Sequence, residues 1–284
     1  MLEYNCVTVK GSLNCFSVRL DKKSVGILGE KDSGKEAIIP ATLGLLNNVS
    51  GSILLDGVDL VKSRDLLHKV RWEKISAVFY DPSTMFNLLY TIGSHFAEIV
   101  VSHEIGNAEY GVEVGLEYLK LLGLSADVME RLPYQLTPLQ LKKVAIALAV
   151  FLEPEYVIFD DLEFGLGDIG RASVMNSIID LMGSVRSSFM FLENSPGILS
   201  RLADYVLVLY RGETVEEGQD VLQSPLHPYT IDLINGEIEE EKVEGKGCVY
   251  SGICKHSTPK CFENVNWVSM GNHRVRCIAY ACGI

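Results

Sequence analysis

Three groups of residues have types and spacings that could do chemistry. The first is Gly29-Glu30-Lys31-Asp32-Ser33-Gly34-Lys35-Glu36, a Gly-x4-Gly-Lys frame. A short apolar run, Ser24 to Leu28, precedes it, and a helix-like run, Lys35 to Leu46, follows. In that context backbone N–H groups curl around phosphates and the lysine reaches the β- and γ-phosphates. The next position normally carries Ser or Thr, whose hydroxyl ligates magnesium. Here it is Glu36, a carboxylate that can ligate magnesium but repels a triphosphate at close range. A glycine-rich turn without a ligand is the plainer alternative. The second group is the apolar run Tyr156-Val157-Ile158-Phe159 ending in Asp160-Asp161. Asp160 suits a carboxylate that holds magnesium, and Asp161 stands where a general base would. An acidic turn at a strand end is the alternative.

The third group is Cys248-x5-Cys254-x6-Cys261-x15-Cys277, four thiols in the last 37 residues, with Cys282 beyond them. Four thiols suffice for tetrahedral zinc or a four-iron cluster, although the Cys-x2-Cys knuckles of common zinc sites are missing. Unligated thiols are the alternative, but so short and polar a tail would struggle to bury a core unaided. Cys6 and Cys15 lie near the start. No basic and apolar leader is visible at Met1–Asn5, so a reducing cytoplasm is expected, where clustered cysteines point to metal rather than disulfides.

These groups need a scaffold. The chain has 284 residues, 48% hydrophobic and 22% charged, the profile of a packed globular protein. Lys+Arg 25 against Asp+Glu 37 gives a net charge of −12, a poor match for a nucleic-acid binder. The longest uncharged apolar run, Val144 to Leu152, is nine residues, where a bilayer span needs about 20. Strands are expected at 24–28, 52–55, 75–79, 156–159, 189–192 and 205–209. Helices are expected at 35–46, 116–122, 139–152 and 173–182, with Pro40 kinking or shortening the first. Alternating strands and helices with continuously apolar strands predict an α/β domain with a largely parallel sheet. The run Glu237 to Glu244 is acidic and reads as a solvated linker. It divides a nucleotide-binding domain, 1–235, from a cysteine-bearing extension, 236–284.

Several segments together resemble the ATP-binding subunits of oligopeptide and dipeptide ABC transporters. Ile75-Ser76-Ala77-Val78-Phe79-Tyr80-Asp81-Pro82 with Asn87 and Thr91-Ile92-Gly93 resembles that family's Q-loop region. Leu132-Pro133-Tyr134-Gln135-Leu136-Thr137-Pro138-Leu139-Gln140 resembles its signature segment. Leu202 to Val206, Gly212-Glu213, Glu217-Gly218 and His227-Pro228-Tyr229-Thr230 resemble the end of its core, and His273-Arg274-Val275-Arg276-Cys277 its cysteine-rich extension. The resemblance implies a P-loop ABC nucleotide-binding domain with a helical subdomain at about 85–150. It implies an ATP and magnesium site on Gly29, Ser33, Gly34, Lys35, Glu36 and Asp160, with Thr137 and Gln140 from the signature. It favours a [4Fe–4S] cluster over zinc on Cys248, Cys254, Cys261 and Cys277.

Departures from the family pattern run in one direction. Tyr80 stands for the Q-loop glutamine, Asp161 for the catalytic glutamate and Asn194 for the switch histidine. Asp161 is one methylene short for a base that must come within ~3 Å of its proton. Asn194 cannot shuttle a proton. Leu-Ser-Gly-Gly-Gln becomes Leu136-Thr137-Pro138-Leu139-Gln140, a good helix start that lacks an N–H at Pro138. The expected protein is therefore a degenerate, weakly hydrolysing cytoplasmic subunit, peripheral on the inner face of the membrane. Its expected partners are an intact paralogous ATPase in a heterodimer and membrane permease subunits contacted around Tyr80 to Ile92. The other readings are a non-transport pseudo-ATPase that keeps the fold and the cluster, and a soluble redox protein.

Overall fold

The computed structural model describes residues 1–238 and 247–281. Most of the expected acidic linker, and Cys282, lie outside the described residues. Strands in chain order are β1 (Leu2–Val9), β2 (Leu13–Arg19), β3 (Ser24–Leu28), β4 (Val49–Leu55), β5 (Val58–Asp59), β6 (Ile75–Val78), β7 (Tyr156–Asp160), β8 (Ser188–Glu193), β9 (Tyr205–Tyr210), β10 (Glu213–Gly218), β11 (Val268–Met270) and β12 (His273–Val275). Helices are α1 (Ile38–Thr42), α2 (Leu67–Val70), α3 (Ile92–Ser102), α4 (Ala108–Leu121), α5 (Pro138–Val150), α6 (Asp168–Ser184), α7 (Pro196–Leu202), α8 (Pro228–Asn235) and α9 (Ile278–Ala281). The chain forms two compact units, Met1–Arg64 with Phe191–Ile284, and Asp65–Met190.

The first unit holds a four-stranded antiparallel sheet in the order β2-β1-β4-β5. In β1 the buried side chains are Leu2 and Tyr4, then Val7 and Val9. The change of parity marks an extra residue, and the register shifts between Tyr4 and Val7 and between Asn5 and Thr8 place it there. Cys6 (φ 47°) and Cys15 (φ 52°) occupy left-handed conformations at these irregularities. Their sulfurs are joined in a disulfide. The facing irregular residues of β1 and β2 bring these two side chains together, the pair lying apart from the clustered cysteines of the tail.

The second sheet of this unit carries β3, whose Val25, Ile27 and Leu28 are buried. It runs parallel to β9, with Val25 opposite Tyr205 and Leu28 opposite Val208. From β9 outward the pairing turns antiparallel, through β10, β12 and β11. The expected largely parallel sheet is thus a mixed one. The reason is a tight hairpin at Arg211-Gly212, both residues left-handed (φ 48° and 82°), the geometry that matches the twist of a two-residue β-turn. Helix α1 ends at Thr42 rather than Leu46, four residues short of the expected end, with Pro40 inside it.

In the second unit β6 and β7 pair in parallel, Ile75 opposite Tyr156 and Val78 opposite Phe159. Helix α5 is buried from Lys142 through Val150. Helix α4 begins eight residues before the expected Leu116, capped by Asn107, whose side chain accepts from the Tyr110 N–H at 2.9 Å. Its Gly111 and Gly115 lie against α3. A Cβ at Gly111 would sit 2.8 Å from the Phe96 carbonyl oxygen and 3.0 Å from the Ala97 Cα, and one at Gly115 2.5 Å from the Phe96 ring. A helical Ala is favoured over Gly by about 1 kcal/mol, whereas overpacking against backbone costs about 1–3 kcal/mol. Gly111→Ala is therefore expected to destabilise the protein by about 1–2 kcal/mol, measured as a lower urea midpoint. An unchanged or higher midpoint would show that α3 and α4 can separate.

Candidate functional site

The phosphate loop belongs to the first unit. Strand β3 ends at Leu28 in the core, and the Gly29 N–H donates to the Glu193 carbonyl at 3.1 Å, which fixes the loop's start. Gly34 has φ 104°, and a Cβ there would lie 2.4 Å from the Ser12 carbonyl oxygen, so both conformation and space require glycine. The Lys35 side chain is buried, and its Nζ donates to the Glu30 carbonyl at 2.9 Å, Glu36 Oε1 at 3.2 Å and Asn194 Oδ1 at 2.7 Å. Glu36 also accepts from two backbone groups of the loop, the Asp32 N–H at 2.9 Å and the Gly34 N–H at 3.1 Å. Ser33 Oγ is buried with no hydrogen-bond partner. The structure thus brings together Lys35, Glu36 and Asn194, three of the residues expected at the site.

Asp160, Asp161, Tyr80, Thr137 and Gln140 belong to the second unit. Asp160 closes β7, and Asp161 follows in a left-handed conformation (φ 44°). The Tyr80 ring lies 3.9 Å, centroid to centroid, from that of Phe164. Thr137 and Gln140 form the capping box of α5: Thr137 Oγ1 accepts from the Gln140 N–H at 3.2 Å, and Gln140 Oε1 accepts from the Thr137 N–H at 3.0 Å. Pro138 takes the first helical position, where no N–H is needed. Both polar side chains are engaged at the helix start.

Sequence reasoning missed Lys142. It is 1% exposed, and its Nζ donates to the carbonyls of Asp161 at 2.9 Å and Tyr80 at 3.2 Å. One buried cation thus ties together the segments after β6 and after β7. The available signal was a pair of lysines inside an otherwise apolar helix. The second, Lys143, caps the C-terminus of α4 through the Leu122 carbonyl at 2.8 Å, and burial holds its ammonium below the usual lysine range.

In the tail, Cys261 and Cys277 are buried and Cys248 and Cys254 half-buried, all four unpaired by disulfide. The Cys248 N–H donates to the Cys261 carbonyl at 2.8 Å, and the Cys254 N–H to the Tyr250 carbonyl at 3.0 Å. Burial pushes the Cys248 thiol up to about 11, and the other three thiols add to the rise. Burial also raises Cys254 and Cys277, and neighbouring thiols act on both. Among the described residues no group of three or more His, Cys, Asp or Glu is spaced to grip a single metal ion. His227 is held far below its usual value, to about 3, first by burial and then by Arg276. Its Nδ1 accepts from the Tyr229 N–H at 3.1 Å. The neutral ring therefore carries its proton on Nε2, 3.7 Å from Cys248 Sγ.

Comparison with known proteins agrees with this frame. A family model described as ABC transporter matches residues 15–162. The oligopeptide transport ATP-binding protein AppD of Bacillus subtilis is 28% identical over 91% of this chain and 87% of its own length. The dipeptide transport ATP-binding protein DppF of Haemophilus influenzae is 26% identical over 89% and 84%. The oligopeptide transport ATP-binding protein AmiE of Streptococcus pneumoniae is 30% identical over 80% and 66%. Among solved structures, a dimeric ATP-binding cassette in a post-hydrolysis state with ADP and phosphate superposes with a TM-score of 0.68 at 21% identity, covering 77% of this chain and 98% of that one. Among the described residues no helix is long and apolar enough to cross a membrane. With a phosphate loop between strand and helix, a cassette fold and a family match over more than half its length, the chain belongs to the ABC transporter family of ATP-binding proteins.

Proposed function

We propose that the chain is a degenerate nucleotide-binding subunit of a peptide- or dipeptide-type ABC importer. It binds ATP and magnesium weakly, hydrolyses ATP poorly, and works beside an intact paralogous ATPase and membrane permease subunits at the inner face of the membrane. The observation that carries this reading is the engagement of Lys35 by Glu36 and Asn194. A hydrolysing site needs a hydroxyl at the first of these positions for magnesium. At the second, the family pattern places a histidine. The likeness to proteins named for oligopeptide and dipeptide transport over most of the chain supports the importer assignment. Leu88, Leu89 and Tyr90 are exposed, Leu89 by 83%, and supply an apolar surface of the kind a permease helix would cover.

The four tail thiols support a [4Fe–4S] cluster as a further cofactor. They lie close enough for neighbouring thiols to add to the burial that raises Cys248, Cys254 and Cys277. The preference for a cluster over one zinc rests on the resemblance of the Cys-rich tail to the family's extension; among the described residues no group of three or more His, Cys, Asp or Glu is placed to hold a metal ion. The residues that would hold the cluster are Cys248, Cys254, Cys261 and Cys277, and His227 would offer an N–H to the first. A second reading, a pseudo-ATPase outside transport that uses the cluster structurally or as a regulator, rests on the same tail.

Affinity purification of the tagged chain under anaerobic conditions separates these readings. Recovery with a permease and a second ATPase supports the importer subunit. Recovery without a permease supports the second reading. In the same sample, iron and sulfide that are lost in Cys261→Ser support the cluster, and zinc without iron overturns it.

A further inference from the structure

We propose that Glu36 is an internal plug, a carboxylate seated where the phosphate loop would take a nucleotide phosphate, so that this chain excludes nucleoside di- and triphosphates until Glu36 leaves. Three donors converge on it. The Asp32 N–H and the Lys35 ammonium reach Oε1 at 2.9 and 3.2 Å, and the Gly34 N–H reaches Oε2 at 3.1 Å. Two backbone N–H groups from left-handed residues, Asp32 (φ 64°) and Gly34 (φ 104°), together with a lysine ammonium, are the donor set of an anion nest. The occupant is an anion of the loop's own making, two to four residues from the N–H groups it bonds, so its local concentration is high. Ser or Thr at this position could not do the same, because a hydroxyl is neutral and too short to span both N–H groups.

The remaining features are those of a seat with a removable occupant. Lys35 is 3% exposed at its side chain, whereas Glu36 is 41% exposed. The ammonium is fixed by the Glu30 carbonyl and Asn194, while the carboxylate has an open path to water. Ser33 Oγ, buried in the same loop, has no hydrogen-bond partner, a polar group that the plug leaves unsatisfied. A nucleotide must therefore displace a competing carboxylate, and its apparent affinity falls by the fraction of chains in which the seat is open. This inference rests on the cassette reading only for the identity of the displacing ligand, a nucleoside polyphosphate.

The test is calorimetric titration of the full chain with ADP and ATP, each with magnesium and with chelator. The proteins compared are wild type, Glu36→Ala, Glu36→Ser and the double variant Lys35→Ala/Glu36→Ala, with folding checked by circular dichroism. The plug predicts that Glu36→Ala and Glu36→Ser bind both nucleotides about 10–100-fold more tightly than wild type. It predicts the gain with or without magnesium, and its loss in the double variant. Folded Glu36→Ala with affinity equal to or below wild type overturns the proposal. So does a gain confined to Glu36→Ser with magnesium, which would make residue 36 a metal-ligand position. Association with a permease is read separately, by the affinity purification described above, on wild type and Glu36→Ala. Failure of the plug with the permease still bound therefore refutes the plug alone, and loss of permease association with the affinity gain intact refutes only the importer reading.

Discussion

Replacing Lys142 by Met is expected to lower stability by about 3 kcal/mol, a fall of roughly 6–12 °C in the thermal midpoint. Two effects oppose each other. Removing a buried ammonium saves its desolvation cost, and swapping buried charges for apolar side chains is often neutral. Against that, Lys142 Nζ serves the carbonyls of Tyr80 and Asp161. Removing a charged donor strands its acceptors, and stranded buried acceptors cost about 1–3 kcal/mol each. The Asp161 carbonyl keeps a second, weaker donor, the Phe164 N–H at 3.3 Å. Methionine fills the space of the stem, so little cavity remains and the loss reports the ammonium itself. Hydrogen exchange is expected to rise first around residues 79–81 and 161–164. An unchanged or higher midpoint would mean that desolvation dominates and that Lys142 does not tie these segments together.

Replacing Tyr250 by Ala should cost more, about 4 kcal/mol. Tyr250 is 2% exposed. Its ring meets Tyr210 edge-on at 5.3 Å and Tyr229 at 5.4 Å, and its hydroxyl donates to Asp232. These partners come from β9 and α8, so one side chain fastens the cysteine tail to the sheet of its own unit. Burial raises the Tyr250 phenol, and the Asp232 carboxylate adds to the rise, so it stays a protonated donor at neutral pH. Tyr250→Phe keeps the ring and loses only the hydroxyl, with an expected cost near 1 kcal/mol. Urea denaturation of both variants checks the difference, with faster exchange across residues 247–281 in Tyr250→Ala. A loss below about 1 kcal/mol for Tyr250→Ala would show that the tail is fastened elsewhere.

How much of this was legible depends on the range of the interaction. The loop Gly29 to Lys35, the strand before it and β7 ending in Asp160 were readable, because each is a local pattern with a fixed spacing. The helix start at Thr137-Pro138 was readable for the same reason, as capping is settled within four residues. The first sheet was not. An extra residue near Cys6 switches the buried parity of β1, so no period of two runs through it. The first half of α4 was hidden by Glu109, Glu113 and two glycines, whose role is close contact with α3 rather than a turn. Glu36 stood out as an intruder, but its charge alone left magnesium binding and repulsion both open. Only the reach of its side chain to two N–H groups and Lys35 distinguishes a plug. Lys142 was invisible as a tie, since its acceptors lie 62 and 19 residues away.

The proposal that this cassette hydrolyses ATP poorly is tested most directly by steady-state ATP turnover. The measurement is made on the purified full chain and on any complex it forms with the proposed permease and second ATPase, with that ATPase inactivated at its own phosphate-loop lysine. Turnover far below the ordinary enzyme scale is expected in either sample, with wild-type Asp161 and with Asp161→Glu alike, because Glu36 and Asn194 still engage Lys35 in both. Turnover on the ordinary enzyme scale of about 1–10³ s⁻¹, lost on Lys35→Ala, would contradict it and make this chain a working ATPase.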